Sequence, residues 1–204
     1  MKIICIGKNY ALHAKEMESS VPEKPVFFLK PDTALLTEGN DFYYPDFTTN
    51  LHHEIELVLK ISKNGKNIQP EFIQDYVKEY SLGIDFTARD LQDEAKKKGM
   101  PWEIAKAFDQ SAFISKTWLP FPAAAEFGSV GFSLKLNKIE VQAGTAADMI
   151  FNPAAVISYV SKFITLRIGD LIYTGTPHGV GPVKQGDTLE GLVGNTPMFS
   201  LAVK

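Results

Sequence analysis

Apolar and polar positions alternate with period two through much of the chain, so short strands are the expected building blocks. The strongest such stretch is Leu51-His52-His53-Glu54-Ile55-Glu56-Leu57-Val58-Leu59-Lys60-Ile61. In a strand, every second residue shares a face. Ile55, Leu57, Leu59 and Ile61 then face a core, and Glu54 and Glu56 project together from the other side. A second strand is expected over Ser81-Leu82-Gly83-Ile84-Asp85-Phe86-Thr87. Here Leu82, Ile84 and Phe86 are apolar-facing and Asp85 points the other way.

Further strands are predicted at residues 2–6, 25–29 (buried), 129–136, 139–142 and 198–203. Two Gly-Asp turns, Gly169-Asp170 and Gly186-Asp187, each feed a strand. Lys63-Asn64-Gly65-Lys66 reads as a tight hairpin turn, and Asn137-Lys138 as another. Helical signals are fewer. Residues 9–17 suggest a short helix or ordered loop, and 71–77 a short helix. A helix after Asp85 runs to about Lys98, closed by Gly99 and Pro101. Asn152-Pro153 is an N-cap followed by proline at the first helical position, opening an apolar helix over 154–163. The expected class is α+β and β-rich, a roll or barrel with short peripheral helices. We expect a single domain over residues 1–204, since nothing reads as a linker or low-complexity segment.

Composition adds mainly exclusions. A hydrophobic fraction of 45% and a charged fraction of 22% are ordinary for a globular protein. A net charge of −3 gives no reason to expect nucleic acid. The one cysteine, Cys5, excludes an internal disulfide framework and sits in an apolar run, as a small buried hydrophobe does. That run is too short for a signal or membrane span, so a cytoplasmic location is expected. Lys96-Lys97-Lys98 reads as the solvated end of a helix, where cations complement the dipole.

The candidate chemistry lies in the carboxylates. Glu54 and Glu56 held two apart repel, which raises a carboxyl pKa unless a cation neutralises the pair. Alternating glutamates are otherwise the solvated face of a half-buried sheet. Asp85, at the end of a strand, supplies a third carboxylate. Three carboxylates without cysteine make a hard oxygen site suited to Mg²⁺, Mn²⁺ or Ca²⁺. His52 shares the Glu54 face, which keeps an iron site as a minor alternative. Three carboxylates and one divalent ion sum to −1, so nearby cations are expected; Lys106 and Arg89 are candidates. If residues 9–17 are helical, His13 and Glu16 share a face as a general-base pair. Thr174-Gly175-Thr176-Pro177-His178-Gly179-Val180-Gly181 is a glycine-rich turn without the ending of a P-loop.

Several segments together resemble the fumarylacetoacetate hydrolase superfamily. They are Gly7-Lys8-Asn9-Tyr10 with His13 and Glu16, Phe28-Leu29-Lys30-Pro31, His53-Glu54-Ile55-Glu56-Leu57, Asp85-Phe86-Thr87-Ala88-Arg89-Asp90-Leu91-Gln92 and Gly175-Thr176-Pro177-His178-Gly179. Residues 96–106 and 157–162 are similar to its small acylpyruvase/oxaloacetate decarboxylase branch. The resemblance implies a mixed β-roll, a homodimer, and Mg²⁺ or Mn²⁺ on Glu54, Glu56 and Asp85. It implies that His13 and Glu16 activate water on a mobile lid and that Lys106 is an active-site lysine. Substrate contacts are implied for Lys30, Arg89, Gln92 and Thr176. Ala146, Lys8 and His178 depart from the common pattern and bear on substrate preference.

The implied substrate is a small 2-oxo acid. Cleaving its C3–C4 bond leaves a pyruvate enolate. Water added to an acylpyruvate at C4 gives pyruvate and a carboxylic acid. Oxaloacetate instead loses CO₂, and reprotonation of an enolate gives tautomerase activity. Acylpyruvate hydrolysis ranks first on sequence because the water-activating pair is intact. An isomerase/decarboxylase of aromatic catabolism is an alternative. A non-catalytic binding protein is disfavoured, because no candidate catalytic residue is lost.

Overall fold

A computed structural model describes every residue from Met1 to Lys204. Its centre is an eight-stranded sheet. The strand order is Val26–Lys30, Ile3–Gly7, Leu171–Tyr173, Ile55–Ile61, Val77–Asp85, Ala112–Ile114 and Leu35–Thr37, with Leu119–Pro120 also paired to Val77–Asp85. Pairing is mostly antiparallel. Ile3–Gly7 with Leu171–Tyr173 and Leu35–Thr37 with Ala112–Ile114 are parallel. A four-stranded antiparallel sheet, ordered Ile139–Thr145, Gly131–Leu136, Thr188–Val193 and Thr196–Ala202, packs against the first. Three short strands, Gly181–Pro182, Leu51–His53 and Thr87–Ala88, lie beside the acidic residues. The curled, strand-rich fold with few short helices is the expected β-roll.

The apolar residues explain the layering. Ile55, Leu57, Leu59, Ile61, Leu82, Ile84 and Phe86 all enter one large core. Phe42 stacks on Phe86 at 4.0 Å between ring centres. Burying each such side chain is worth about 1.5–3 kcal/mol. The opposite face of the sheet is also covered. Val58, in phase with Glu54 and Glu56, joins Ile3, Cys5, Ala112, Ile114 and Tyr173 in a second buried cluster. The glutamate face is therefore not a solvated face, which removes the ordinary explanation of its alternation.

Most predicted elements are present. The helix after Asp85 is Arg89–Lys98, with its lysines in the last turn. Pro153–Phe163 is capped by the Asn152 side chain, which accepts from the Ala155 amide at 2.9 Å. Asn137 and Lys138 form the tight turn, with φ of 52° and 71°. Two expectations fail. Lys63–Lys66 is not a hairpin, because Gly65 bridges to distant Leu166 and a short helix, Ile73–Tyr76, intervenes before the partner strand begins at Val77. The strand at Val26–Lys30 is not buried: it forms the sheet edge, with only Lys30 sequestered. Phe27 packs against Tyr159 and Phe163 of the helix Pro153–Phe163, and Phe28 against Trp102, while Val26 and Leu29 stay exposed.

Candidate active site

The antiparallel register assembles the acidic residues. Ile55 opposes Ile84 and Glu56 opposes Gly83. Continuing that register sets Glu54 beside Asp85, whose amide donates to the Glu54 carbonyl at 2.9 Å. The strand expected over 51–61 is interrupted at Glu54, where the chain passes from Leu51–His53 in one sheet to Ile55–Ile61 in another. Glu54 and Glu56 still form an i, i+2 pair, with Asp85 of the neighbouring strand across from Glu54. One carboxylate oxygen from each of Glu54, Glu56 and Asp85 lies within 4.8 Å of the others, and all three residues are buried.

Three cations surround the triad. Lys106 Nζ donates to Glu54 Oε2 at 2.7 Å, to Asp85 Oδ2 at 2.8 Å and to Thr87 Oγ1 at 2.6 Å. Arg89 Nη2 donates to Glu54 Oε1 at 2.6 Å, and Arg89 Nη1 to Gln92 Oε1 at 2.6 Å. Lys30 Nζ lies 2.6 Å from Asp85 Oδ1, as an ion pair without hydrogen-bond direction. Its directed bonds go to the Ser111 carbonyl and hydroxyl.

Electrostatics separate the two glutamates. Burial pushes Glu54 up, but Lys106 and Arg89 outweigh it and hold the carboxyl well below its usual range. Glu56 is raised well above it, by burial first and then by Asp85 and Glu54; the Gly175 amide opposes this only in part, donating at 2.6 Å. Burial opposes the charge on Lys106, and Asp85 and Glu54 overcome that and raise its pKa.

A second cluster closes the site. His13 and Glu16 share the helix Ala11–Glu16, and His13 Nδ1 lies 3.0 Å from Glu16 Oε2. A carboxylate only accepts, so Nδ1 carries the proton and Nε2 the lone pair. Glu16 Oε1 in turn accepts from the Gly179 amide at 3.0 Å. Gly179 has a φ of 94°, and a Cβ there would meet the Val141 carbonyl at 2.3 Å, so only glycine brings this amide to Glu16. A cavity of about 250 Å³ joins the clusters and is lined by His13, Glu54, Asp85, Gln92, Lys106 and Thr176 among others.

The family model described as "Fumarylacetoacetate (FAA) hydrolase C-terminal" matches residues 2–198. The chain belongs to the fumarylacetoacetate hydrolase family. It is 47% identical over 202 residues to the mitochondrial oxaloacetate tautomerase FAHD1 of Homo sapiens, covering 95% of this chain and 89% of that protein. It is 44% identical over 192 residues to the oxaloacetate tautomerase YcgM of Escherichia coli, covering 92% and 85% respectively. The fumarylpyruvate hydrolase of Pseudomonas aeruginosa, solved in complex with Mn²⁺ and pyruvate, superposes with a TM-score of 0.90 at 38% identity. The match spans 100% of this chain and 89% of that one.

In this family member the donor set fits a hard divalent cation. Three carboxylates converge without cysteine, and no histidine joins the group, so the iron alternative has no support. Asp85 Oδ1 is buried without a directed hydrogen bond. The formal charges of the triad (−3) and of Lys30, Arg89 and Lys106 (+3) sum to zero, so a divalent cation would leave +2 for an anionic substrate. His52 Nε2 pairs with Asn50 Oδ1 at 3.0 Å, and burial followed by Arg89 lowers its pKa to about 4.

The other expectations divide. Arg89, Gln92, Lys106, His13 and Thr176 line the cavity, and Glu16 stands behind His13. Lys30 does not line it: its amine is enclosed behind Asp85, so a direct substrate contact is replaced by support of that carboxylate. Asn9, present in the Gly7–Tyr10 motif without an assigned role, and Gln142, outside every motif, also shape the site. Asn9 ties the Phe151 and Thr174 backbones together. Gln142, buried in the Ile139–Thr145 strand, joins the acidic strand to the glycine-rich loop. A glutamine in a hairpin reads as solvent-facing, and nothing local signals otherwise. No helix of the chain is long and apolar enough to cross a membrane.

Proposed function

We propose that this chain forms and reprotonates the enolate of small 2-oxo acids, with keto–enol interconversion of oxaloacetate as its principal reaction and hydrolysis of acylpyruvates as a second. The observation that carries this reading is His13, with its base nitrogen left free by Glu16, lining the same cavity as Lys106 and Asp85. The order departs from the sequence-based ranking. Relatives 44–47% identical are named for oxaloacetate tautomerisation, and moving a proton needs only a positioned base. The hydrolytic reading retains support from the fumarylpyruvate hydrolase likeness.

The residues divide the work. Glu54, Glu56 and Asp85 would hold Mg²⁺ or Mn²⁺, which when bound supplies Lewis-acid polarisation of the 2-keto group. His13 Nε2 takes a proton from C3 of oxaloacetate, and Glu16 steadies the imidazolium. Negative charge grows on the keto oxygen, where Lys106 offers a fixed positive charge in a low-dielectric site. Returning the proton to that oxygen completes the enol. With an acylpyruvate, His13 takes the proton from water, the oxygen adds to C4 and the C3–C4 bond breaks. Protonation of the enolate at C3 then gives pyruvate beside the carboxylic acid. Decarboxylation of oxaloacetate breaks the same bond without water. Arg89 and Gln92 orient the substrate carboxylate.

The experiment is a side-by-side assay of oxaloacetate tautomerisation, oxaloacetate decarboxylation and acetylpyruvate and fumarylpyruvate hydrolysis, with and without EDTA. Chelator-sensitive turnover of oxaloacetate supports the reading. No turnover of any of them with Mg²⁺ or Mn²⁺ present would sink it. The single-domain organisation, the homodimer and a cytoplasmic location complete the proposal.

A further inference from the structure

We propose that Gln142 is a positioning residue that fixes the Thr176 hydroxyl as a hydrogen-bond donor into the cavity, toward an oxygen of the substrate carboxylate. The inference rests on the 2-oxo acid reading above and goes beyond it by assigning the direction of one hydrogen bond and the residue that sets it.

Donor and acceptor roles around the Gln142 amide fix one another in turn. Gln142 is 1% exposed and makes four contacts through its amide. Its Oε1 accepts from the Ile55 amide at 3.0 Å, and a backbone N–H has no other role. Its Nε2 donates to the Pro177 carbonyl at 2.9 Å, and a carbonyl only accepts. These two backbone groups leave one orientation for the side-chain amide. The remaining contacts then follow. His53 Nδ1, 2.9 Å from Oε1, must be the protonated nitrogen. Thr176 Oγ1, 2.9 Å from Nε2, must accept. Having accepted there, the Thr176 hydroxyl has its proton to give elsewhere. No protein acceptor takes it, although Thr176 is 3% exposed. Thr176 lines the cavity that holds His13 and Lys106, so the free proton serves an anionic oxygen bound there.

The same amide ties two parts of the site together. Through Ile55 it grips the strand between Glu54 and Glu56. Through Pro177 it grips the loop whose Gly175 amide reaches Glu56 and whose Gly179 amide reaches Glu16. A fully satisfied buried amide of this kind rigidifies what it joins.

The test measures binding of pyruvate to the Mg²⁺-loaded full chain by calorimetry, and of Mg²⁺ to the pyruvate-free chain. Gln142→Glu keeps the acceptor but replaces the donor with a carboxylate oxygen, so the Thr176 hydroxyl turns toward it and away from the cavity. Pyruvate affinity should fall about 10- to 100-fold, the worth of a hydrogen bond to a charged group. Thr176→Val should match it, and the double variant should be no weaker than either alone, since both remove one interaction. Thr176→Ser should restore binding. KM should rise with kcat nearly unchanged, as for an interaction present in ground and transition states alike. Should Gln142→Glu fail to fold, Gln142→Met carries the comparison, with a smaller loss of about threefold because the hydroxyl then rotates freely. Mg²⁺ affinity of Thr176→Val should stay within about twofold of wild type, since the Thr176 side chain bonds to none of the three carboxylates. Fully additive losses, or a fall in Mg²⁺ affinity with unchanged KM, would overturn the proposal. Wild-type protein that binds no 2-oxo acid would overturn both readings. Wild-type binding that the variants leave untouched would overturn only this one.

Discussion

Replacing Lys106 by methionine tests the electrostatic account of the site most directly. Methionine keeps most of the apolar stem, so the change removes the charge and three hydrogen bonds of 2.6–2.8 Å rather than packing. Lys106 is 3% exposed, so water does not replace those bonds. Glu54 and Asp85 are left with Arg89 and Lys30 alone. Breaking a buried ion pair by removing one partner costs about 3–5 kcal/mol. For a domain of this size that lowers Tm by about 6–20 °C. The sign with pH is fixed. The folded-state pKa of Lys106 is raised, so its stabilisation is complete below its ordinary value of 10.5 and disappears only as pH rises through the folded value. The deficit should thus be full at neutral pH. Mg²⁺ should restore part of it, since a ligand at 100 times its Kd stabilises by about 2.7 kcal/mol. The gain should be larger in the variant than in wild type, because a competing cation is gone. Activity should fall about 10²–10³-fold even with Mg²⁺ saturating, the usual loss of one preorganised charge-stabilising group. Scanning calorimetry with EDTA and with Mg²⁺, beside kinetics on oxaloacetate, gives all three quantities. A Tm within about 2 °C of wild type in EDTA would refute the reasoning, since it would mean that the three bonds carry under about 1 kcal/mol.

His13→Ala should reduce acylpyruvate hydrolysis by about 10²–10⁴-fold while sparing oxaloacetate decarboxylation, which takes no proton from water; equal losses in the two assays would remove water activation as its role. Glu56, with its folded pKa raised above the ordinary 4.5, costs metal-free stability increasingly as pH rises from there to the folded value. Glu56→Gln should therefore gain on wild type over that window in EDTA and lose to it in Mg²⁺; parallel melting curves would count against the shift. Cys5 is 1% exposed with its thiol pKa pushed up, by burial first and then Asp85, so a thiol reagent should label it only in denaturant. Rapid labelling of native protein would contradict the packing. Light scattering at micromolar concentration should give a dimer mass, and a monomer would refute that part of the proposal.

Much of the architecture is decided by local pattern. The alternation at residues 55–61 specifies a strand and the faces of its side chains, because the two-residue period is a property of the extended backbone itself. The Asn152-Pro153 cap and the three-residue spacing of His13 and Glu16 are equally local, and both are present. The motifs, taken together, also mark the family. Register is different. That Glu54 stands beside Asp85 depends on how two strands separated by residues 62–76 slide against each other, which no local pattern contains. The failed hairpin at Lys63–Lys66 has the same origin: Gly65 pairs with Leu166, a contact made only when the chain returns. Burial, too, is collective. Glu56 has a raised pKa because Val58, Cys5 and Tyr173 close the face that alternation alone assigns to solvent. Lys30 stands behind Asp85, and Gln142 lies beneath Thr176, for reasons of sheet order. Spacing along the chain sets which side chains can share a face. Only the packed sheets set which faces meet, what they exclude from water, and therefore how strongly the charges between them interact.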